Sequence, residues 1–355
     1  MNFLKRKKNK ILYIYPHLSS FIKVDRKILS KKFDIIDNTY NWKKKHLVPF
    51  HLLHQFFYLF FTIKKVDVVL ISFGGYWSLF PTLIAKLFNK KSYIIVHGTD
   101  ATAFKEINYG SLLNPFLKYF IKKSLENAST ILPVSEALIY SENTYFDKNK
   151  VIKQGIKYFF PNLKTSIHVI HNGIDTNFWK NLHLERNPNQ ILTVFSDRQF
   201  HLKGGDLIIQ LAFDFPDFEF LIAGTDKIPK NITPLPGNVK LLGFQQPKSL
   251  LNLYNSSTFY FQLSIFEGFG YSLCEAMNCG CIPIVSNVNL LPTIVGTSGY
   301  ILKHRDYNEL KKLFNNVILN KDKNNELSNL AQKQIKENFE LSIRESKLHT
   351  LLKVY

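Results

Sequence analysis

Short apolar runs rich in β-branched and aromatic residues recur along this chain, each separated from the next by a longer stretch with helical spacing, and they form two series. βαβ units leave that alternation in a sequence, because parallel strands need a long crossover, usually a helix. The first series predicts strands near 10–15, 33–36, 67–73, 92–97, 130–134 and 167–171, with helices over 20–31, 50–64, 77–89, 111–127 and 135–147. It closes on His171-Asn172-Gly173-Ile174-Asp175, where Asn-Gly signals a turn, and the polar stretch Asn181 to Gln190, with Pro188, reads as a linker. The second series predicts strands near 191–196, 218–223, 239–242, 258–262, 282–286 and 299–302. Its helices are expected over 205–213, 247–255, 270–279 and 306–319, then 323–338 and 341–353. A chain of 355 residues exceeds what one core usually serves. The expected architecture is α/β, two doubly wound parallel-sheet domains over 1–176 and 177–338, with a C-terminal helix in 339–355 packing back on the first.

Hydrophobic residues make up 45% of the chain and charged residues 21%, which excludes a disordered polymer. The three cysteines, Cys274, Cys279 and Cys281, lie too close together for a disulfide framework. Cys279-x-Cys281 lacks the second ligand pair of a zinc site, so all three read as small buried side chains in a reducing cytoplasm. The basic start runs into Ile11 to Pro16, too short for the apolar core of a secretory signal. Phe50 to Ile63, the most apolar stretch, falls short of the ~20 residues a spanning helix needs.

The charge is uneven. Residues 1–176 hold 27 Lys and Arg against 11 Asp and Glu, net +16, out of +19 for the whole chain. Lys5 to Lys10, Lys23 to Lys32 and Lys43 to Lys45 are the clusters. Such a field attracts nucleic acid or an anionic membrane surface. The first half carries no nucleic-acid motif and its aromatics sit in apolar runs, so nucleic acid is not expected. A peripheral place on the inner face of the cytoplasmic membrane is a separate expectation, drawn from Phe50, Leu52, Leu53, Phe56, Phe57, Leu59, Phe60 and Phe61 beside Lys43 to Lys45 and Lys64-Lys65. The competing explanation is compositional: 40 of the 46 basic residues are Lys.

The chemistry concentrates in Phe261 to Pro283, which reads strand, loop, helix, strand, with Glu267-Gly268-Phe269-Gly270 at the loop-to-helix junction. A helix N-terminus offers unpaired N–H groups and partial positive charge, and glycines let an anion approach the main chain. Glu267 and Glu275 flank that junction. Eight helical steps would separate them by about 12 Å, too far for the ~5.5 Å carboxylate pair of a retaining glycosidase. The spacing suits an extended ligand, with one carboxylate at a sugar, the other at a ribose and a diphosphate between.

Ser264-Ile-Phe-Glu267-Gly268-Phe269-Gly270, followed by Glu275-Ala276 and Gly280-Cys-Ile-Pro283, resembles the hallmark of the retaining glycosyltransferases of family 4. Arg198, Lys203-Gly204, Ala223-Gly224 and Leu242-Gly243 follow the same order. The resemblance is strong over 190–302 and looser in His97-Gly98-Thr99-Asp100 and Asn172 to Asp175. It implies the GT-B fold, two Rossmann-like domains facing each other across a cleft. It further implies that Glu267 holds donor-sugar hydroxyls, that Gly268, Phe269 and Gly270 bind the diphosphate through their amides, that Glu275 binds the ribose and that Arg198 and Lys203 clamp the diphosphate. Two fixed cations suit negative charge developing on a departing nucleotide. His97, at the end of a predicted strand, is expected to contact the donor sugar or the acceptor. Asp100 reads equally well as a loop hydrogen-bond acceptor.

The chain departs from that pattern after its first strand, where Pro16-His17-Leu18-Ser19-Ser20 replaces a glycine pair. It has no Asp-x-Asp, so no metal and no cofactor are expected. The expected partners are a nucleoside-diphosphate sugar and a glycan or lipid-linked acceptor, in cell-envelope polysaccharide or glycolipid synthesis. The alternatives are a nucleotide-sugar-binding protein without turnover, or an inverting or phosphorylase-like relative of the same fold.

Overall fold

The computed structural model describes residues 8–353 apart from 231 and 233; residues 5–7 of the first basic cluster lie outside the described residues. The chain forms two compact units, one of residues up to Ser141, Gln154–Asn172 and Ser342 onward, the other of Glu142–Lys153 and Gly173–Leu341.

The first unit is built on β1 (Asn9–Ile14), β2 (Phe33–Asn38), β3 (Val68–Ser72), β4 (Lys91–Val96) and β5 (Thr130–Pro133). A ribbon of β6 (Ser141–Asn143) and β7 (Ile152–Gln154) follows, then the short β8 (Ser166–Ile167). Its main sheet runs β2-β1-β3-β4-β5-β8, every pair parallel. Ile11 to Ile14 and Val68 to Ile71 have no solvent exposure, as continuous apolar strands covered on both faces require. The crossovers are α1 (Ser20–Ser30), α2 (Val48–Thr62), α3 (Tyr76–Leu87) and α4 (Pro115–Asn127), followed by the single-turn α5 (Ile156–Phe159). α4 starts where Asn114 Oδ1 accepts the Leu117 N–H at 3.1 Å and Pro115 takes the first helical position. α2 packs on α3 through Phe56–Phe80 and Phe60–Phe88, and α3 on α4 through Tyr76–Phe120.

The helix expected over 135–147 does not form. Ser135 Oγ caps one 3-10 turn at 3.1 Å from the Ala137 N–H, and the chain then becomes β6. Ser141-Glu-Asn-Thr is poor helix material, and Asn143 has stronger partners elsewhere. Its Nδ2 donates to the Ile265 carbonyl at 2.6 Å and its Oδ1 accepts the Phe146 N–H at 3.0 Å. The segment 142–153 therefore packs as part of the second unit.

The second unit carries β9 (Asn187–Val194), β10 (Glu219–Ala223), β11 (Val239–Leu241), β12 (Ser257–Gln262), β13 (Ile282–Ser286) and β14 (Tyr300–Leu302). They are parallel and ordered β11-β10-β9-β12-β13-β14. β9 begins inside the stretch expected to be a linker. Its helices are α6 (Gly205–Asp214), α7 (Pro247–Ser256), α8 (Tyr271–Asn278), α9 (Leu291–Val295), α10 (Tyr307–Leu319) and α11 (Asn324–Asn338). All three cysteines are buried and free, as their apolar surroundings required.

The last helix, α12 (Leu341–Leu351), belongs from Ser342 to the first unit. Arg344, 2% exposed, holds it there through a two-pronged pair with Asp25 of α1, 2.6 Å from Nε to Oδ1 and 2.7 Å from Nη2 to Oδ2. Its Nη1 donates to the carbonyls of Ile170 and His171, both at 3.0 Å. Removing one partner of such a pair strands a charge without water. Asp25→Ala and Arg344→Met should each destabilise the first unit by about 3–5 kcal/mol. The double variant should recover part of that loss in urea melts; a double variant as unstable as the sum of the two singles would show that the pair is not the cause.

Candidate functional site

Both sheets have a point where the chain leaves one side of the first strand and returns on the other, and loops diverge there to open a crevice at the strand ends. In the second unit that point lies between β9 and β12. The loops after these strands carry most of the residues singled out in the sequence.

The loop after β9 makes one 3-10 turn at Asp197–Gln199, capped by Ser196 and Gln199, and continues to Lys203-Gly204. Gly204 has φ +73°, and a Cβ there would stand 2.6 Å from the Leu263 carbonyl oxygen. Only glycine allows this approach without strain. The loops are also joined by the Ile265 N–H to the Leu202 carbonyl at 2.8 Å. This contact sets Lys203 against Glu267.

Glu267 lies in the loop after β12, its side chain 16% exposed and that of Lys203 14%. Three donors converge on Glu267 Oε2: the Lys203 ammonium, Gln262 Nε2 at 2.8 Å and Ser264 Oγ at 3.2 Å. The Glu267 N–H donates to Asn289 Oδ1 at 3.3 Å. Gln262 is 2% exposed, and its Oε1 accepts the Tyr260 hydroxyl at 3.2 Å. A buried amide with both ends engaged fixes its neighbour's orientation. Lys203, expected on the diphosphate, is thus held by the carboxylate expected on the sugar. Arg198 is exposed and has no ion pair among the described residues.

Gly268 and Gly270 bracket the buried Phe269, whose ring packs on Phe339 and Tyr271. Gly270, at φ +118°, caps α8, and a Cβ would press on Leu291 Cδ2 at 3.1 Å. Because α8 begins only at Tyr271, Glu275 stands one turn inside it, an axial rise of about 6 Å. Glu275 Oε2 accepts the Tyr254 hydroxyl at 3.2 Å. Burial pushes its carboxyl up to about 8, with the Tyr254 hydrogen bond opposing. Glu275 is therefore largely protonated at neutral pH, half-buried beside the helix end.

In the first unit the corresponding divergence lies between β1 and β3. His97 follows β4, its ring centre 4.7 Å from that of Phe21 and 4.4 Å from that of Phe73, and its Nε2 3.2 Å from Ser72 Oγ. Burial, then the Arg344 charge, holds its imidazole well below the ordinary 6.5, so it is neutral at physiological pH. Phe73 has φ +63°, an uncommon conformation for a bulky residue, and Trp77 Nε1 donates to its carbonyl at 3.0 Å. Asp100 is fully buried and accepts the N–H groups of Gly74 at 2.9 Å and of His97 and Gly98 at 3.0 Å. Its carboxylate ties together the turns after β3 and β4.

Sequence reasoning missed Gln262, Tyr254 and Asn289. A glutamine inside the apolar strand Phe259 to Leu263 is a readable signal, since a buried amide demands a partner. Asn289 gives none; its φ of +49° and contact with Glu267 exist only in the folded chain.

The raised Glu275 carboxyl yields a stability signature. Between about pH 4.5 and 8 the unfolded chain has released a proton that the folded chain still holds, so wild type loses stability as pH rises through that window. Glu275→Gln lacks this loss. Its Tm advantage over wild type should grow from pH 5 to 8, by up to ~1.4 kcal/mol per pH unit, and then level off; a constant difference would place the Glu275 carboxyl in its ordinary range.

Residues 178–334 match the family described as glycosyl transferases group 1. Over 70 residues, 20% of this chain and 18% of the relative, the sequence is 36% identical to the O-antigen chain mannosyltransferase B of Escherichia coli. The chain spans less than half the length of the curated relatives it matches. Among solved structures it is similar to a sucrose-phosphate synthase of Thermosynechococcus elongatus, with TM-score 0.72 and 12% identity over 97% of this chain and 98% of that one. It is also similar to HepE of Anabaena, solved in complex with UDP, with TM-score 0.69 and 17% identity over 96% of this chain and 99% of that one. Its two six-stranded parallel sheets have the GT-B fold of these neighbours.

Proposed function

We propose that this chain is a glycosyltransferase that moves a sugar from a nucleoside diphosphate to an acceptor hydroxyl. The observation that carries the reading is the meeting of Lys203 and Glu267 at the β9/β12 divergence, beside the glycine-capped start of α8 and one turn from Glu275. A diphosphate belongs at the helix end, where main-chain N–H groups and the helix dipole favour an anion. Glu267 would accept hydroxyls of the donor sugar, and Glu275 those of the ribose. Lys203 and the exposed Arg198 would meet charge on the leaving diphosphate, the ammonium shifting its contact from carboxylate to phosphate. His97, a neutral imidazole, is assigned to the acceptor side.

We further propose a retaining, metal-independent reaction of the family 4 kind. The bond from the sugar's anomeric carbon to phosphate oxygen breaks while a bond to the acceptor oxygen forms on the same face, and the acceptor's proton passes to the diphosphate. The E. coli relative is named for O-antigen chains, which favours cell-envelope polysaccharide or glycolipid synthesis by a cytoplasmic enzyme peripheral to the membrane.

Two measurements test this. A panel of nucleotide sugars, with EDTA present, should include one that raises the Tm and supports transfer with retained anomeric configuration. Glu267→Ala should reduce that transfer by about a hundred-fold or more; a Glu267→Ala enzyme with near-full activity would overturn the assignment. In addition, ribose hydroxyls favour the ionised form of Glu275. Binding of that nucleotide sugar at pH 7 should release close to one proton in wild type and none in Glu275→Gln, read from calorimetry in buffers of different ionisation enthalpy. Equal proton release in both would remove the ribose from Glu275.

A further inference from the structure

α2 presents an apolar stripe to solvent. Phe50, Leu53, Phe57 and Phe61 recur at helical spacing and are 69%, 58%, 55% and 64% exposed. On the opposite side Gln55 and Leu59 are fully buried. The rotation of the helix is locked, because Gln55 Nε2 donates to Asn38 Oδ1 at 3.0 Å and to the Trp77 carbonyl at 3.2 Å. Turning the helix to hide the phenylalanines would break both bonds and take that donor away from Asn38 Oδ1 and the Trp77 carbonyl. The neighbouring α3 adds Leu83 and Leu87, both exposed. A contiguous apolar face of this kind marks an interaction site rather than scattered surface residues.

The charge around the stripe is of one sign. Lys43, Lys44 and Lys45 precede α2, Lys64 and Lys65 follow it, and Lys86, Lys90 and Lys91 lie at the end of α3 and the start of β4. Between Asn41 and Thr99 the single acid is Asp67, and its Oδ2 accepts the Lys10 N–H at 2.7 Å. Lys64 Nζ stands over the rings of Phe60 at 5.3 Å and Phe88 at 4.9 Å, an apolar stem beside aromatics with a charged end. Among the described residues no helix is long and apolar enough to cross a membrane, and α2, with 15 residues, is roughly 22 Å long.

We infer that the outer face of α2, with Leu83 and Leu87 of α3, lies in the headgroup region of an anionic bilayer, its phenylalanines inserted and its lysines on the lipid phosphates. This deepens the peripheral placement proposed above and rests on it. A polyanion would satisfy the lysines and leave the phenylalanines in water; a second copy of this chain would bring like charge against like charge. An anionic bilayer complements both.

The test is co-sedimentation of the full chain with vesicles of phosphatidylcholine alone and of phosphatidylcholine mixed with phosphatidylglycerol, with no donor or acceptor, so that its outcome is independent of catalysis. Wild type should bind the anionic vesicles far better. Phe57→Ser with Phe61→Ser should weaken that binding roughly ten-fold or more, and Lys43, Lys44 and Lys45→Gln roughly five-fold for each lysine. The Tm should be unchanged, since every altered side chain is exposed. Equal recovery with both vesicle types, or undiminished binding by the phenylalanine variant, would overturn the proposal. So would a wild-type dimer that this variant dissolves in sedimentation velocity without any vesicle binding, which would identify the face as a contact between copies.

Discussion

The contact between Lys203 and Glu267 organises the second unit's candidate site, and it exists because two loops from neighbouring strands are pressed together at Gly204 and Leu263. Parallel strands joined by crossovers leave such loops on one edge of the sheet. What they do there depends on how closely the backbones approach, and the left-handed Gly204 sets that approach. Gln262, Ser264 and Lys203 then place three donors on one carboxylate oxygen. A carboxylate so restrained loses little freedom on meeting a ligand.

Most of the architecture could be read from the chain because strand and helix patterns alternate with clear punctuation. Fully buried strands such as Ile11 to Ile14 are continuous apolar runs, and starts such as Asn114-Pro115 are capped by their own residues. The exception at 135–147 has a tertiary cause: Asn143 makes hydrogen bonds within the second unit that outweigh one more turn of helix.

The candidate site was legible in residue types and not in partnerships. Glycines at a strand-to-helix junction mark a helix N-terminus whose main-chain N–H groups an anion could approach. Nothing local reveals that Lys203 reaches Glu267, that Tyr254 faces Glu275, or that Asn289 receives the Glu267 N–H. These contacts join segments 21 to 64 positions apart, and only the packed sheet brings them within reach. The rotation of α2 has the same origin: its composition is apolar on nearly every side, and the Gln55 hydrogen bonds decide which phenylalanines face outward.

The two sheet edges differ in electrostatics, and the difference bears on which could hold a diphosphate. At the first unit's edge, burial keeps His97 neutral, and both Asp100 oxygens are engaged by main-chain N–H groups. The rings of Phe21 and Phe73 pack against the imidazole. Such an edge suits hydroxyls and apolar surface and offers little to balance two phosphate charges. The second unit's edge has Lys203, Arg198 and the start of α8, and burial there raises the Glu275 carboxyl to about 8. A protonated Glu275 leaves Glu267, already paired with Lys203, as the charged member of the two acids that flank the start of α8.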